Sequence, residues 1–357
     1  MKKKVFYAIL EVFYRVGILR FAFFVQNALR ASLMVLMFHR VSDGKNVGLP
    51  SISIRKENYI KLVNLLQQFF NIVSHDELLQ MQTQGENFPA RATMITFDDA
   101  YEEAYQNGAP ELIGRSIPAT VFAVTDAIDK QAVFWWDVVY AFLQYANLAT
   151  PIESKFYEIL PENLKVEFNA ILNTPFMERG VRINTFIERL KKISGGAINE
   201  IKEYLLLSYN TSLSKEKGPI ARSMNLESLL ELKKNGYTVG SHTVTHQFLN
   251  EIPESDIRME LRRSKQKLEK AIGTSIDTFA YPAGIYNSDV VRMVKESGYL
   301  TAFTTQMGCN SKNVNLLEIK RINIWDDFVC DNRGKFSASL TLWRLMTATG
   351  KRFHARA

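Results

Sequence analysis

Short apolar, β-branched runs alternate along much of this chain with stretches whose apolar residues return every three to four positions. The runs Leu33–Phe38, Ala92–Phe97, Ala119–Val124, Thr238–Gly240, Thr278–Tyr281, Thr301–Thr305 and Ile319–Ile324 read as buried strands. Between them, Asn58–Phe70, Leu226–Lys234 and Glu254–Ile272 carry the helical spacing. The last of these opens with acids after Pro253 and stops at Gly273, as helix ends prefer. Strands alternating with helices predict a parallel sheet or barrel, an architecture that carries its chemistry at the carboxyl ends of strands.

The alternation lapses between residues 129 and 222. Trp135-Trp136-Asp137 opens a long helical stretch that Pro151, Pro161, Pro175, Gly195-Gly196 and Gly218-Pro219 divide into short helices. We read 129–222 as a helical insertion, with packing over one side of the barrel, or a lid or lipid-facing platform near a substrate groove, as its alternative roles. The barrel would then comprise 32–128 and 223–330.

Both ends of the chain have another character. Lys2, Lys3, Lys4, Arg15 and Arg20 accompany Phe6, Phe13, Phe21 and Phe23, which predicts a basic amphipathic helical segment over 1–31, broken near Gly17. Its charges interrupt the apolar run well short of the ~20 residues that span a bilayer. The segment would lie flat on a membrane or on the domain itself. The basic tail 331–357 repeats the style, with Leu342, Trp343, Leu345 and Met346 beside Arg344, Lys351 and Arg352. A cytoplasmic chain with peripheral membrane contact fits this pattern better than a secreted or periplasmic one, because no small-residue cleavage site precedes the first strand.

Composition adds little. With 357 residues, 46% of them apolar, the chain can build a large core, and its net charge of +7 is spread among many acids and bases. No Lys/Arg block interleaved with aromatics marks a nucleic-acid surface. Cys309 and Cys330 form no C-x-x-C pair and no disulfide framework.

The chemistry lies in two motifs. Thr96-Phe97-Asp98-Asp99 places two carboxylates at a strand end, and Ser241-His242-Thr243-Val244-Thr245-His246 places two imidazoles four residues apart, as on one face of a helical turn. One carboxylate and two imidazoles supply three protein ligands, the number that suits a catalytic zinc with an open fourth position. The second carboxylate is then free to act as a base. His39 closes the first strand, in Met37-Phe38-His39-Arg40-Val41, where an imidazole could serve as an acid near neutral pH. His75, ahead of Asp76-Glu77, reads as a helix-start residue.

These motifs, followed by Phe279-Ala280-Tyr281-Pro282-Ala283-Gly284, resemble the NodB-type polysaccharide deacetylases, carbohydrate esterase family 4, over roughly Ser32 to Trp325. The resemblance implies a distorted (β/α) barrel of about seven strands and metal-dependent hydrolysis of N-acetyl groups from amino sugars of a surface polysaccharide or its precursor. It implies Asp99, His242 and His246 as ligands of a divalent metal, zinc by ligand type, with Asp98 as base and the backbone N–H of Ala283 as oxyanion donor. An early-strand histidine resembles the poly-N-acetylglucosamine deacetylase branch and implies His39 as the acid. Most of the family has arginine where this chain has Ala280; Arg321 could supply that guanidinium from another strand. Tyr281, Tyr286 or Trp325 could stack on a sugar or belong to the core. Two rival readings are a deformylase or deacetylase of a lipid-linked sugar at the inner leaflet, and a catalytically impaired saccharide-binding module.

Overall fold

Strand Ser32–Phe38 (β1) is buried from Leu33 onward, because neighbours cover it on both edges and both faces. The other strands are β2 (Arg40–Ser42), β3 (Ser53–Arg55), β4 (Asn71–Ile72), β5 (Ala92–Phe97), β6 (Thr120–Ala123), β7 (Thr238–Ser241), β8 (Thr278–Ala280), β9 (Thr301–Phe303), β10 (Asn310–Ser311) and β11 (Ile322–Asn323). The computed structural model describes residues 2–29, 32–46, 48–145, 151–192, 196–208 and 220–348. They fall into two units, one of Met1–Ser42, Ile52–Gln131 and Met224–Arg356, the other of Asp43–Ser51 and Ala132–Ser223.

In the first unit β1, β5, β6, β7, β8 and β9 lie side by side, all parallel. One segment joins the two ends of this sheet. The Ile319 N–H donates to Ala302 O at 2.9 Å and Thr304 N–H donates to Ile319 O at 2.8 Å. A few residues later, β11 pairs with β1 on its free edge, and Ile324 N–H donates to Met37 O at 2.9 Å. The result is the distorted seven-stranded barrel expected. Inside it pack Leu33, Val35, Phe122, Ala280, Phe303 and Ile319. A Cβ at Gly240 would lie 2.5 Å from the buried Phe122 ring and 2.8 Å from Thr278 Cγ2, so β7 requires glycine just before the first histidine motif.

Local signals fix several helices as read. Leu226–Lys234 and Glu254–Ile272 have the expected bounds, the second ending at left-handed Gly273. His75 begins helix His75–Gln84 behind a Ser74/Glu77 capping box. In the second unit, helices Trp135–Tyr145, Pro151–Ile159, Glu162–Leu172, Arg179–Leu190 and Gly196–Ser208 bury Phe142, Phe156, Phe168, Phe186 and Leu190 in a core of their own. Asp43–Ser51 joins it through Leu49 N–H, which donates to Asp137 Oδ1 at 2.7 Å.

Helices Lys2–Arg15 and Ile18–Leu29, separated by Gly17 at φ +85°, meet helix Ala338–Thr347. Leu10, Leu19 and Leu340 are buried together, and Phe6 meets Trp343 edge-on at 5.8 Å. Lys351 and Arg352 of the tail lie outside the described residues.

Candidate metal centre and active site

Parallel register brings the chemistry to one rim. Phe38 of β1 pairs with Phe97 of β5, so His39 and Asp98 follow at adjacent strand ends, and Asp98 N–H donates to Phe38 O at 2.9 Å. Ala123 of β6 pairs with Ser241 of β7, and His242 N–H donates to Ala123 O at 2.9 Å. Asp99 and Ala100 then take left-handed conformations, φ +64° and +50°. That reversal aims Asp99 differently from its neighbour, which lets adjacent carboxylates serve different partners.

Asp99, His242 and His246 form a cluster whose ligand atoms all lie within 4.8 Å of one another. Asp99 Oδ1 stands 3.5 Å from His242 Nε2 and 3.4 Å from His246 Nε2. A tetrahedral ion with bonds of about 2.0–2.1 Å holds its ligand atoms about 3.3–3.4 Å apart. The spacing of the carboxylate oxygen to each imidazole nitrogen matches that of a zinc-sized divalent ion. The carbonyl of Ala280 accepts from His242 Nδ1 at 2.8 Å, which leaves Nε2 as the lone-pair nitrogen facing the cluster. Burial pushes the His242 imidazole below its ordinary range, toward the neutral form a ligand needs, against an opposing pull from Asp98.

The two histidines do not share a face of a helical turn, as their spacing predicts. The stretch after β7 is a non-helical loop in which Thr243 and His246 have φ of +70° and +61°. Glu260, on helix Glu254–Ile272, holds this loop. One carboxylate oxygen accepts from Val244 N–H at 2.7 Å and Thr245 N–H at 3.0 Å, and the other accepts from the Thr245 hydroxyl at 2.8 Å. Thr243 Oγ1 accepts from His246 N–H at 2.9 Å. The His246 N–H, which would close a helical turn on His242 O, is thus taken by the Thr243 side chain. Sequence reasoning passed over Glu260, yet a signal exists: it shares the buried stripe of Ile257, Leu261, Ser264 and Leu268.

Asp98 is held from the opposite side. Arg321 forks onto it, Nη1 to Oδ1 and Nη2 to Oδ2, both at 2.7 Å, while Arg321 Nε donates to Thr304 O at 2.8 Å. Both side chains are buried. Burial alone would raise the Asp98 carboxyl; Arg321, with smaller contributions from His242 and His39, holds it below the usual carboxylate range. Arg321 thus occupies the carboxylate-pairing role left open by Ala280, from the segment that closes the barrel.

His39 is partly buried beside this pair. The next residue, Arg40, is anchored by Glu103, with Nη2 to Oε2 at 2.7 Å and both groups buried, and its Nη1 reaches Ser53 Oγ at 3.1 Å. That anchor fixes the strand end carrying His39, and it too escaped the sequence reading; an arginine directly after an apolar strand was its trace. Ala283 sits in the turn after β8 at φ +53°. Tyr281 is core, with its hydroxyl donating to Leu317 O at 3.0 Å. Tyr286 stacks on it at 4.5 Å and donates to Glu318 Oε1 at 3.1 Å. Trp325 is partly buried against Phe328.

A closed parallel barrel with a carboxylate-bis-histidine cluster on its carboxyl rim is what the resemblance to NodB-type deacetylases implies. The polysaccharide deacetylase family profile matches residues 210–302, which include both histidines. A poly-β-1,6-N-acetyl-D-glucosamine N-deacetylase of Staphylococcus aureus is 23% identical over 83% of this chain and 80% of its own length. The deacetylase PplD of Streptococcus pyogenes superposes with a TM-score of 0.54 at 16% identity, over 90% of this chain and 99% of that one. IcaB of Ammonifex degensii superposes with a TM-score of 0.53 at 15% identity, over 89% and 97%. In sequence and in fold the chain is thus similar to polysaccharide deacetylases.

Proposed function

We propose that this protein hydrolyses N-acetyl groups from amino sugars of a surface polysaccharide or its precursor, with a divalent metal, zinc by ligand type, held by Asp99, His242 and His246. The observation that carries this reading is the 3.4–3.5 Å spacing of one carboxylate oxygen and two imidazole nitrogens beside a second, separately clamped carboxylate. When bound, the ion supplies Lewis-acid polarisation of the amide carbonyl and of water. Asp98, kept ionised by Arg321, takes the proton from the attacking water. The Ala283 N–H donates to the oxyanion as the carbonyl carbon becomes tetrahedral. His39, at the neighbouring strand end, gives a proton to the departing nitrogen, the C–N bond breaks, and acetate and a free amine leave. The staphylococcal relatives' substrate, poly-β-1,6-N-acetylglucosamine, supports a polymer of that chemical class.

A second reading keeps the chemistry and moves it to a formamido or acetamido sugar carried on a lipid. The exposed apolar face of the basic amino-terminal helices favours it.

Metal analysis and amine release on a panel of N-acetylated oligosaccharides and lipid-linked sugars test both. His242→Ala with His246→Ala should strip the metal and the activity together. Asp98→Asn should keep the metal while turnover falls about 10²–10⁴-fold. Stoichiometric metal in the double histidine variant would overturn the assignment.

A further inference from the structure

The amino-terminal helices are apolar on two sides, and the barrel unit uses only one of them. Leu10 and Leu19 are buried against Leu340, with Tyr7, Tyr14 and Trp343 around them. On the other side of Lys2–Arg15, Val5, Ile9, Val12, Phe13 and, in the turn just after it, Val16 recur at steps of four, three, one and three. That spacing makes one continuous stripe along the helix. Their exposures run from 42% at Phe13 to 62% at Val16, and Phe21, 69% exposed, extends apolar surface onto the second helix. Single exposed apolar residues are ordinary on protein surfaces; a stripe at helical spacing marks a contact surface.

Charge decides between its occupants. Residues 2–29 hold five basic side chains, Lys2, Lys3, Lys4, Arg15 and Arg20, against one acid, Glu11. That acid is already engaged, accepting from Arg15 Nε at 2.8 Å and from the Ser339 hydroxyl at 3.0 Å. A second copy of this chain would bring two cationic faces together, whereas an anionic lipid surface satisfies the charge and the apolar stripe at once. Among the described residues no helix is long and apolar enough to cross a membrane. We propose that this stripe docks into the headgroup–acyl boundary of an anionic bilayer, with the helix Lys2–Arg15 lying along the surface. The inference stands apart from the catalytic reading, since it uses no residue of the rim.

The experiment is co-sedimentation of the full chain with vesicles of phosphatidylcholine containing roughly a third phosphatidylglycerol, beside vesicles of phosphatidylcholine alone, at low and high salt. The parent should sediment with the anionic vesicles and release as salt rises. Val12→Glu with Phe13→Glu and Phe21→Glu should lower binding at least about tenfold, since acids replace apolar groups at the interface. A second variant, Lys2→Gln with Lys3→Gln and Lys4→Gln, leaves the stripe intact and should lose the preference for phosphatidylglycerol. Amine release from a soluble oligosaccharide should be unchanged in both, which separates this outcome from that of the active-site reading. Equal sedimentation of parent and Glu variant, or none by the parent, overturns the proposal. So does a parent dimer that the Glu substitutions dissolve without any vesicle binding, because the stripe would then be a self-contact.

Discussion

The barrel rim and the amino-terminal helices depart from ordinary burial in opposite directions. At the rim, Arg40, Asp98, Asp99, Glu103, Glu260 and Arg321 are buried polar groups. Along the helix Lys2–Arg15, Val5, Ile9 and Val12 are apolar groups in water, as is Val16 in the turn that follows. Burying a charge costs several kcal/mol unless partners compensate it, and the rim supplies them in order: Arg321 for Asp98, Glu103 for Arg40, loop N–H groups for Glu260. Among the described residues, nothing in its own unit covers the amino-terminal stripe. The difference teaches where each feature finds its purpose. A paired buried charge is completed within the fold and holds side chains in place, whereas the exposed apolar stripe leaves room for the docking proposed above.

The sharpest break of this contrast is at His39. His39→Ala should bind metal normally and lose about 10²–10⁴-fold in turnover, because only the protonation of the departing amine is affected. A rate within a few-fold of the parent would place the acid elsewhere. Next comes the clamp. Arg321→Met leaves the Asp98 carboxylate buried and unpartnered, and denaturant unfolding should show a loss of about 3–5 kcal/mol. Adding Asp98→Asn removes the stranded charge and should restore much of that stability without restoring activity. If the double variant is no more stable than Arg321→Met, the pair is not the source of the loss.

The smallest of the three effects is at Glu260. Glu260→Gln keeps the shape and removes the charge that draws in the loop between the two histidines. Metal affinity should fall about 10–100-fold, the usual effect of disturbing groups that orient ligands, while the melting temperature moves little. Metal titration followed by amine release at saturating metal checks it: activity should return as metal is added. Unchanged affinity would reduce Glu260 to a loop anchor.

Much of this protein was legible in one dimension because its signals are local. Apolar β-branched runs marked the barrel strands, and Gly273 marked the end of helix Glu254–Ile272. Asp98-Asp99 and the two histidines stood at strand ends because parallel strands deliver their carboxyl ends to one rim. Other features depended on the three-dimensional fold. The pairing of Arg321 with Asp98 spans 223 positions and exists only because the segment after β9 crosses back to β1. The four-residue spacing of His242 and His246 suggested a helical turn, but Thr243 Oγ1 takes the His246 N–H that turn would need, and Glu260, fourteen positions beyond the second histidine, holds the loop through Val244 and Thr245 N–H. The amino-terminal segment could lie on a membrane or on the domain, and only its meeting with the carboxyl-terminal helix at Leu10, Leu19 and Leu340 decided which face is buried. Periodicity and end signals act within a few residues, so sequence alone determined them. Compensation of a buried charge acts through space, so the tertiary structure had to choose each partner.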